Sequence, residues 1–310
     1  MLGWICLGLA AAAAALSFIA YLTAFYSPHP GQNDEHNLPP GEQYEPRTQE
    51  MLAMIDALLS VPCEEVSILS RDGLRLHARY YPGKEGAGVA LCFHGYRATA
   101  RRDFSGGARY LIGRGFHVLL ADERAQGRSE GHTMTMGVME RDDCLDWADW
   151  AAERFGADTP ITLYGISMGA AAVLMATGLP LPENVRCAVA DCPFSSPREI
   201  ICSVCRSMRL PAGLLWPFVA LGARLFGRFD PNAVTAADAV KNARIPILIL
   251  HGEDDRYVPC EMSAAIAEAN PGLVERHTFP HAGHGISFLT DPERYRALLT
   301  AFLQEKAGIM

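Results

Sequence analysis

Apolar and polar positions along the chain form blocks that predict strands and helices in alternation. Three short runs are almost wholly apolar and are typical of strands buried on both faces of a sheet: GVALCF at 88–93, PITLY at 160–164 and IPILIL at 245–250. Segments between such runs repeat apolar residues at helical spacing, as in 136–155. A predicted hairpin over 64–81 precedes them. The pattern predicts an α/β fold, with a mostly parallel sheet covered by helices on both faces.

The longest apolar block stands at the amino terminus. No side chain from Leu2 to Ser27 is charged, and a helix over Leu2 to Tyr26 would be about 37 Å long, more than the ~30 Å thickness of a hydrocarbon core. A cleaved signal peptide is the alternative, but the run is long for one and no Lys or Arg precedes it. We therefore predict a single-pass transmembrane anchor over 1–27 that attaches the protein to a lipid bilayer.

The rest of the chain divides into a linker and one folded unit. Residues 28–47 are rich in Pro, Gly and polar residues and predict a tether, and the α/β domain follows over 48–310. Within that domain, 193–244 interrupts the strand–helix alternation with apolar, helix-forming sequence broken by proline and glycine. We expect this insertion either to cap the carboxyl ends of the strands, where open α/β sheets bind ligands, or to pack as ordinary helices.

Net charge and cysteine content limit which partners and cofactors the protein is expected to bind. The formal net charge is −8 and no basic tract is present, which argues against a nucleic-acid partner. The first Lys or Arg after the apolar block is Arg47, so the distribution of positive charge says little about which side of the membrane the folded domain occupies. The expected arrangement places the catalytic domain outside the cytoplasm. The nine cysteines show no spacing typical of a disulfide framework or a zinc site. No metal or organic cofactor is expected.

One short motif offers a nucleophile. Ser167 stands between two glycines in GISMG at 165–169, after a predicted strand and before a predicted helix. In a G-x-S-x-G corner the glycines let strand and helix approach closely, so that the serine hydroxyl projects outward. A serine that only caps the helix would have the same sequence around it. The motif alone leaves both interpretations open.

Stretches after other predicted strands supply what a nucleophilic serine requires. HGEDDRYVP at 251–259 offers two adjacent aspartates, and HAGHG at 281–285 offers two histidines, so the chain order is serine, acid, histidine. A histidine removes the serine proton during attack, and a carboxylate orients that histidine. His284 is favoured over His281 because glycines flank it. Asp254 and Asp255 are both candidates for the acid.

The negative oxygen formed during attack also needs donors. The residue after the nucleophile, Met168, supplies one backbone N–H group at a helix start. Tyr96, which follows His94 and Gly95 at the end of an early strand, supplies the second. We predict that these two N–H groups form the oxyanion hole.

Taken together, these motifs resemble the α/β-hydrolase superfamily over about residues 60–305, and within it the bacterial, membrane-anchored serine aminopeptidase-like hydrolases. The resemblance implies the catalytic triad Ser167, Asp255 and His284. Its G-x-x-D-x-x-V-P spacing selects Asp255 over Asp254.

The predicted reaction is acyl transfer to water through an acyl-enzyme on Ser167. The apolar cap sequence, with Leu214, Trp216 and Phe218, suggests ester substrates with a small or acyl-chain group, as for a carboxylesterase or lipase. A serine peptidase, suggested by the resemblance, and a thioesterase or transacylase are alternatives with the same triad. A membrane-tethered binding protein on a hydrolase fold is the non-enzymatic alternative. Protein partners are left open.

Overall fold

The fold is built around one eight-stranded sheet. A computed structural model describes residues 1–28, 34–306 and 308–309. The strands lie in the order β1-β2-β4-β3-β5-β6-β7-β8. Strand β2 runs antiparallel to both of its neighbours, and all other neighbouring pairs are parallel. The bounds are β1 Glu64–Leu69, β2 Arg75–Tyr81, β3 Val89–Phe93, β4 His117–Asp122, β5 Ile161–Ile166, β6 Val185–Asp191, β7 Ile247–Gly252 and β8 Val274–Phe279.

Helices precede the sheet and fill the connections between its strands. The parallel strands are joined through helices, as a parallel sheet requires, so the predicted α/β-hydrolase architecture is confirmed. The helices are α1 Leu2–Ala24, α2 Thr48–Leu59, α3 Ala100–Asp103, α4 Gly107–Arg114, α5 Glu140–Phe155, α6 Met168–Ala176, α7 Pro197–Ser207, α8 Ala212–Leu225, α9 Ala236–Lys241, α10 Cys260–Ala269, α11 Ser287–Thr290 and α12 Pro292–Glu305.

Apolar side chains cover both faces of the sheet. Along β3, Leu91 and Phe93 join one hydrophobic cluster, with residues of α5, α6 and α9. Ala90 and Cys92 join the other, with residues of α2, α4 and α12. Because successive side chains of a strand point to opposite faces, a strand covered on both sides reads as a continuous apolar run. This explains the runs seen in the sequence.

Helix α5 begins later than its apolar pattern indicates. The pattern starts at Met136, but the helix begins at Glu140. The Glu140 carboxylate accepts the N–H groups of Thr135 and Gly137 and so fixes the turn that precedes the helix. Met136 and Gly137 have φ values of 56° and 91°, which no α-helix allows. A side chain that folds back on the preceding turn therefore sets this boundary.

The insertion at 193–244 contains α7, α8 and α9, and these helices pack against different parts of the structure. Helix α9 packs on α6 and α10, which belong to the body of the domain. Helix α8 packs on α1 and α7 instead. A cap, if the insertion forms one, is therefore made by α7 and α8.

Helix α1 is docked on the folded domain at its carboxyl-terminal end. Tyr21 and Phe25 are buried in the main core, and the rings of Phe18 and Phe226 meet edge to face with centroids 4.9 Å apart. Of the helices that the structure describes, the one over Gly3–Ala24 is long and apolar enough to cross a membrane, with a mean hydropathy of 2.2. A signal sequence passes the same test, so insertion in a membrane stays a prediction.

Much of the predicted tether also packs on the domain. Residues 29–33 of it lie outside the described residues. After them, His36 Nε2 lies 2.7 Å from Asp56 Oδ1. Tyr44 is buried, and its hydroxyl donates to the His284 carbonyl at 3.0 Å. The polar composition indicated a free linker, but one buried aromatic side chain near its end fixes this part of it against the domain.

Candidate active site

Ser167 lies on a tight corner between β5 and α6. Its backbone has φ 55° and ψ −112°, a conformation that costs a residue other than glycine about 1–3 kcal/mol. The Gly169 N–H donates to the His94 carbonyl at 3.1 Å, which joins the start of α6 to the end of β3. A side chain at Gly169 would overlap the Phe93 carbonyl, and one at Gly165 would overlap the first turn of α6. The glycines therefore permit the approach that presents the Ser167 hydroxyl.

Substituting Gly169 tests this close approach. Gly169→Ala is expected to lower the free energy of unfolding by about 3 kcal/mol, because the new methyl group meets rigid backbone on β3. Gly113→Ala is the matched control, since Gly113 lies within α4 and a methyl group added there would meet open space; it is expected to raise the same quantity by about 0.5–1 kcal/mol. Urea unfolding of both variants checks the pair. Equal effects would contradict the packing role of Gly169.

The structure brings Ser167, His284 and Asp255 into one hydrogen-bonded chain. His284 Nε2 lies 2.9 Å from Ser167 Oγ, and His284 Nδ1 lies 2.7 Å from Asp255 Oδ2. The other oxygen of Asp255 accepts the N–H groups of Tyr257 and Val258 at 2.9 and 2.8 Å. With Nδ1–H donating to the carboxylate, Nε2 is left to accept the serine proton. This arrangement can deprotonate Ser167 during attack.

The environment sets the pKa values of the acid and the base. Burial opposes ionisation of Asp255, but the imidazoles of His284 and His251 outweigh it and hold the pKa of Asp255 well below its usual range. Burial lowers the pKa of His284, but the facing Cys192 and Asp255 raise it to well above 6.5. Burial also raises the pKa of the Cys192 thiol to about 11. That thiol is neutral at pH 7, so at this pH the Asp255 carboxylate carries the negative charge that faces His284.

A pH profile follows from the raised pKa of His284. Only neutral imidazole accepts the serine proton, so kcat/KM for ester hydrolysis is expected to rise with pH, with its inflection above pH 6.5. The measurement is kcat/KM from pH 5 to 9 at constant ionic strength. An inflection at or below pH 6.5 would show that Asp255 does not stabilise the imidazolium in the free enzyme.

The predicted oxyanion donors lie beside this chain. Within the described residues, the N–H groups of Tyr96 and Met168 make no hydrogen bond to a protein acceptor. Met168 is the first residue of α6, where helix N–H groups lack partners and the helix dipole favours negative charge. The Gly95 N–H donates to Asp103 Oδ2 at 2.8 Å and fixes the loop before Tyr96. Both donors are thus available to a negative oxygen.

The end of α1 contacts the same loop. The Tyr96 hydroxyl donates to the Ala24 carbonyl at 3.1 Å, and the Arg97 guanidinium donates to the carbonyls of Thr23 and Tyr26 at 3.2 Å each. The last carbonyls of a helix have no partner within the helix, and these two side chains supply one. The candidate membrane helix and the candidate oxyanion loop are therefore neighbours, a contact that no sequence pattern indicates.

The two alternative residues lie apart from the hydrogen-bonded chain. Asp254 and His281 face each other at 3.7 Å on the surface, and their side chains are 66% and 91% exposed. Neither contacts Ser167. The structure therefore joins Asp255 and His284, rather than their neighbours, to the serine.

Sequence reasoning missed several residues that hold His284 and Asp255. Gln43 Oε1 accepts the His284 N–H at 3.0 Å, from within the predicted tether. His251 Nε2 lies 3.0 Å from the Val258 carbonyl and 3.3 Å from Asp255 Oδ2. The position of His251 four residues before Asp255 was the one available signal, since a strand end and the loop after it stay close together. No motif indicated Gln43.

Cys192, Asp255 and His284 bring donor atoms within 4.8 Å of one another, as a metal site would. The donors are already engaged, because both nitrogens of His284 are hydrogen-bonded to Asp255 and Ser167. The Cys192 thiol is neutral, whereas metals bind the thiolate. The grouping therefore suits a triad with a buried thiol beside it better than a cation site.

Comparison with protein families identifies the chain. A sequence model described as X-Pro dipeptidyl-peptidase (S15 family) matches residues 72–265, more than half of the chain. The chain belongs to this family. The match covers the Ser167 corner and the Asp255 loop and ends before His284, and it supports the predicted α/β-hydrolase superfamily. The narrower resemblance to serine aminopeptidase-like hydrolases stays a prediction.

The individual relatives of this S15 family member include an uncharacterized protein and a lipase. The chain is 27% identical over 190 residues to uncharacterized protein YqkD of Bacillus subtilis, covering 61% of this chain and 62% of that one. It is 30% identical over 183 residues to the lysophosphatidylserine lipase ABHD12 of Danio rerio, covering 56% and 45%. The chain thus spans about half to three-fifths of the length of these relatives.

A solved structure shows the same fold. The esterase Pf2001 of Pyrococcus furiosus superposes with a TM-score of 0.66 at 23% identity, covering 82% of this chain and 94% of that one. At this identity the likeness concerns the fold alone. Family and fold together place this chain in the α/β-hydrolase superfamily.

Proposed function

We propose that the protein is a membrane-anchored serine hydrolase that cleaves carboxylic esters of acyl-chain substrates. The observation that carries this proposal is the hydrogen-bonded chain Ser167–His284–Asp255 on a strained strand-to-helix corner. A serine that only capped α6 would need neither the histidine nor the buried carboxylate behind it. The pairing therefore favours catalysis over a binding protein.

The proposed reaction has two halves. Ser167 Oγ attacks the ester carbonyl carbon while His284 Nε2 takes the hydroxyl proton, and the N–H groups of Tyr96 and Met168 bind the negative oxygen. His284 then returns the proton to the leaving alcohol, and an acyl-enzyme remains. In the second half His284 takes a proton from water, whose oxygen attacks the acyl carbon. His284 then gives this proton to Ser167 Oγ as the bond between Oγ and the acyl carbon breaks, which releases the acid and restores the Ser167 hydroxyl. Asp255 stays ionised and stabilises the imidazolium in both halves.

Two observations support an apolar acyl group. The end of α1 contacts the Tyr96 loop, so an acyl chain in a bilayer would lie near the proposed oxyanion hole. The relative named lysophosphatidylserine lipase supports the same substrate class.

We also propose that α1 is retained and anchors the protein, with the catalytic domain outside the cytoplasm. Tyr21 and Phe25 fill space in the main core. Cleavage after the apolar block would remove both side chains and leave cavities of a kind that costs about 3–5 kcal/mol each. Retention therefore fits the packing better than a signal peptide does.

The proposal is tested on the full chain in detergent or lipid nanodiscs. A fluorophosphonate probe should label Ser167, as located by peptide mass spectrometry, and p-nitrophenyl esters from acetate to laurate should be turned over faster as the acyl chain lengthens. A folded protein with neither an adduct nor turnover would overturn the assignment of the triad.

Peptide hydrolysis is the second candidate, favoured by the match to the X-Pro dipeptidyl-peptidase family. The same triad cleaves amides, but an X-Pro dipeptidyl peptidase must also bind a free amino terminus. Turnover of a dipeptide p-nitroanilide with proline at the second position, compared with p-nitrophenyl laurate on one preparation, separates the two. A higher kcat/KM for the p-nitroanilide would favour the peptidase.

A further inference from the structure

Helix α8 carries an apolar stripe on the face that points away from the domain. Leu214, Phe218, Leu221 and Leu225 follow at spacings of four, three and four residues, which places them on one side of the helix. Leu214 is 72% exposed and Leu225 is 55% exposed. The opposite side, with Ala223, is buried in the core. A helix that is apolar on both sides is normally buried on both sides, so water is an unsuitable medium for this stripe.

The docking of α1 indicates what medium covers the stripe. Helices α1 and α8 touch closely where Gly222 meets the Ser17 carbonyl, and α1 is buried from Ser17 onwards at Tyr21 and Phe25. The free part, 2–16, is about 22 Å long as a helix, which is shorter than the ~30 Å hydrocarbon core. A bilayer that α1 crosses must therefore also surround its docked turns. Helix α8 lies against those turns and enters the bilayer with them.

The charge of the same region suits an anionic lipid surface. The whole chain has a net charge of −8, but five exposed arginines stand between residues 198 and 230 against two acidic residues. Arg224 pairs with Asp230 at 3.0 Å, and Arg206 and Arg209 stand on either side of Met208, which is exposed. Arginines that alternate with apolar residues are typical of interfacial helices on anionic membranes. The arginines are Arg198, Arg206, Arg209, Arg224 and Arg228, and the acids are Glu199 and Asp230.

We infer that the outer stripe of α8 is a second membrane-contact surface, which lies in the acyl-chain region of an anionic phospholipid leaflet while the neighbouring arginines bind the lipid phosphates. The inference rests on the proposed insertion of α1, and it adds a surface on the 193–244 insertion. It places the Tyr96 loop, which is bonded to the end of α1, at the level of the lipid headgroups. An acyl chain would then reach Ser167 without crossing water.

Photo-crosslinking in the full chain tests the position of the stripe. The photoreactive residue p-benzoylphenylalanine replaces Leu214, Leu9 or Leu69 in separate proteins, each reconstituted in nanodiscs of phosphatidylcholine and phosphatidylglycerol. Leu69 on β1 is the matched control, because it is 72% exposed, as Leu214 is. Leu9 reports on the insertion of α1. We expect phospholipid adducts from positions 9 and 214 at least tenfold above the yield from position 69.

The other possible outcomes distinguish failure of the inference about α8 from failure of the proposal that α1 is a membrane anchor. Adducts from position 9 with none from 214 would leave the anchor in place and overturn the inference about α8. No adduct from position 9 would overturn the anchor and the inference together. Equal yields from 214 and 69 would show non-specific labelling and would also contradict the inference.

The arginines are tested in the protein that carries the crosslinker at position 214. Arg206→Gln with Arg209→Gln is expected to lower the adduct yield severalfold in nanodiscs that contain phosphatidylglycerol, and to have little effect in phosphatidylcholine alone. Arg114→Gln with Arg186→Gln removes the same charge from exposed sites outside the 193–244 insertion and should leave the yield unchanged. Equal losses in both double variants would show that only net charge matters, and the specific role of Arg206 and Arg209 would be wrong.

Discussion

Ser167→Ala is expected to lower kcat for ester hydrolysis by about a million-fold, the effect of removing a nucleophile that acts as one unit with its base. The corner keeps its backbone, so the N–H groups of Tyr96 and Met168 remain to polarise a bound carbonyl. A residual rate above that of the uncatalysed reaction is therefore expected. The measurement is single-turnover hydrolysis of p-nitrophenyl laurate by the full chain, with fluorophosphonate labelling followed in parallel.

Ser287→Ala is the control for this loss. Ser287 is a buried serine whose hydroxyl has no hydrogen-bond partner in the described part of the chain, so the variant tests serine removal without loss of a nucleophile. It is expected to keep both activity and labelling. If Ser167→Ala retained more than about one-hundredth of the parent rate while its melting temperature was unchanged, hydrolysis would proceed elsewhere or by another nucleophile.

Much of the fold could be predicted because local pattern and global architecture agree. The runs at 88–93, 160–164 and 245–250 became central strands, since strands covered on both faces contain apolar residues at every position. The corner at 165–169 was readable for a similar reason. The backbone segments at this corner lie so close together that no Cβ atom fits between them. Glycine is therefore required at two positions, and the requirement can be recognised in the sequence.

The contacts around the site could not be predicted because they join segments of unrelated pattern. Tyr44 lies in a stretch of polar composition, yet it is buried beneath the His284 loop more than two hundred residues later in the chain. The apolar sequence at the end of α1 predicts contact with lipid, yet Tyr21 and Phe25 pack in the core. In both cases a few side chains determine the packing, and the average composition of the segment does not reveal them. Length and hydropathy identify a candidate span but do not say how much of it is docked on the protein.

Asp255→Asn is expected to lower kcat by about ten-thousandfold while KM changes little. Oδ1 of Asp255 accepts the N–H groups of Tyr257 and Val258, so an asparagine here places its carbonyl oxygen on those donors. Its NH2 group must then face His284 Nδ1, which has to become the acceptor. The imidazole proton moves to Nε2, and Ser167 loses its base. Isosteric replacement therefore inverts the tautomer without leaving a cavity.

The pH profile separates this explanation from a loss of structure. In the parent, the Asp255 carboxylate raises the pKa of His284, so the residual kcat/KM of Asp255→Asn is expected to have its inflection at lower pH. Asp254→Asn is the control, because that carboxylate is 66% exposed and lies outside the hydrogen-bonded chain; it should match the parent in rate and profile. A large loss in Asp254→Asn with a near-normal Asp255→Asn would assign the acid to Asp254. A loss in Asp255→Asn without any shift of the inflection would mean that the carboxylate orients His284 but contributes little charge stabilisation.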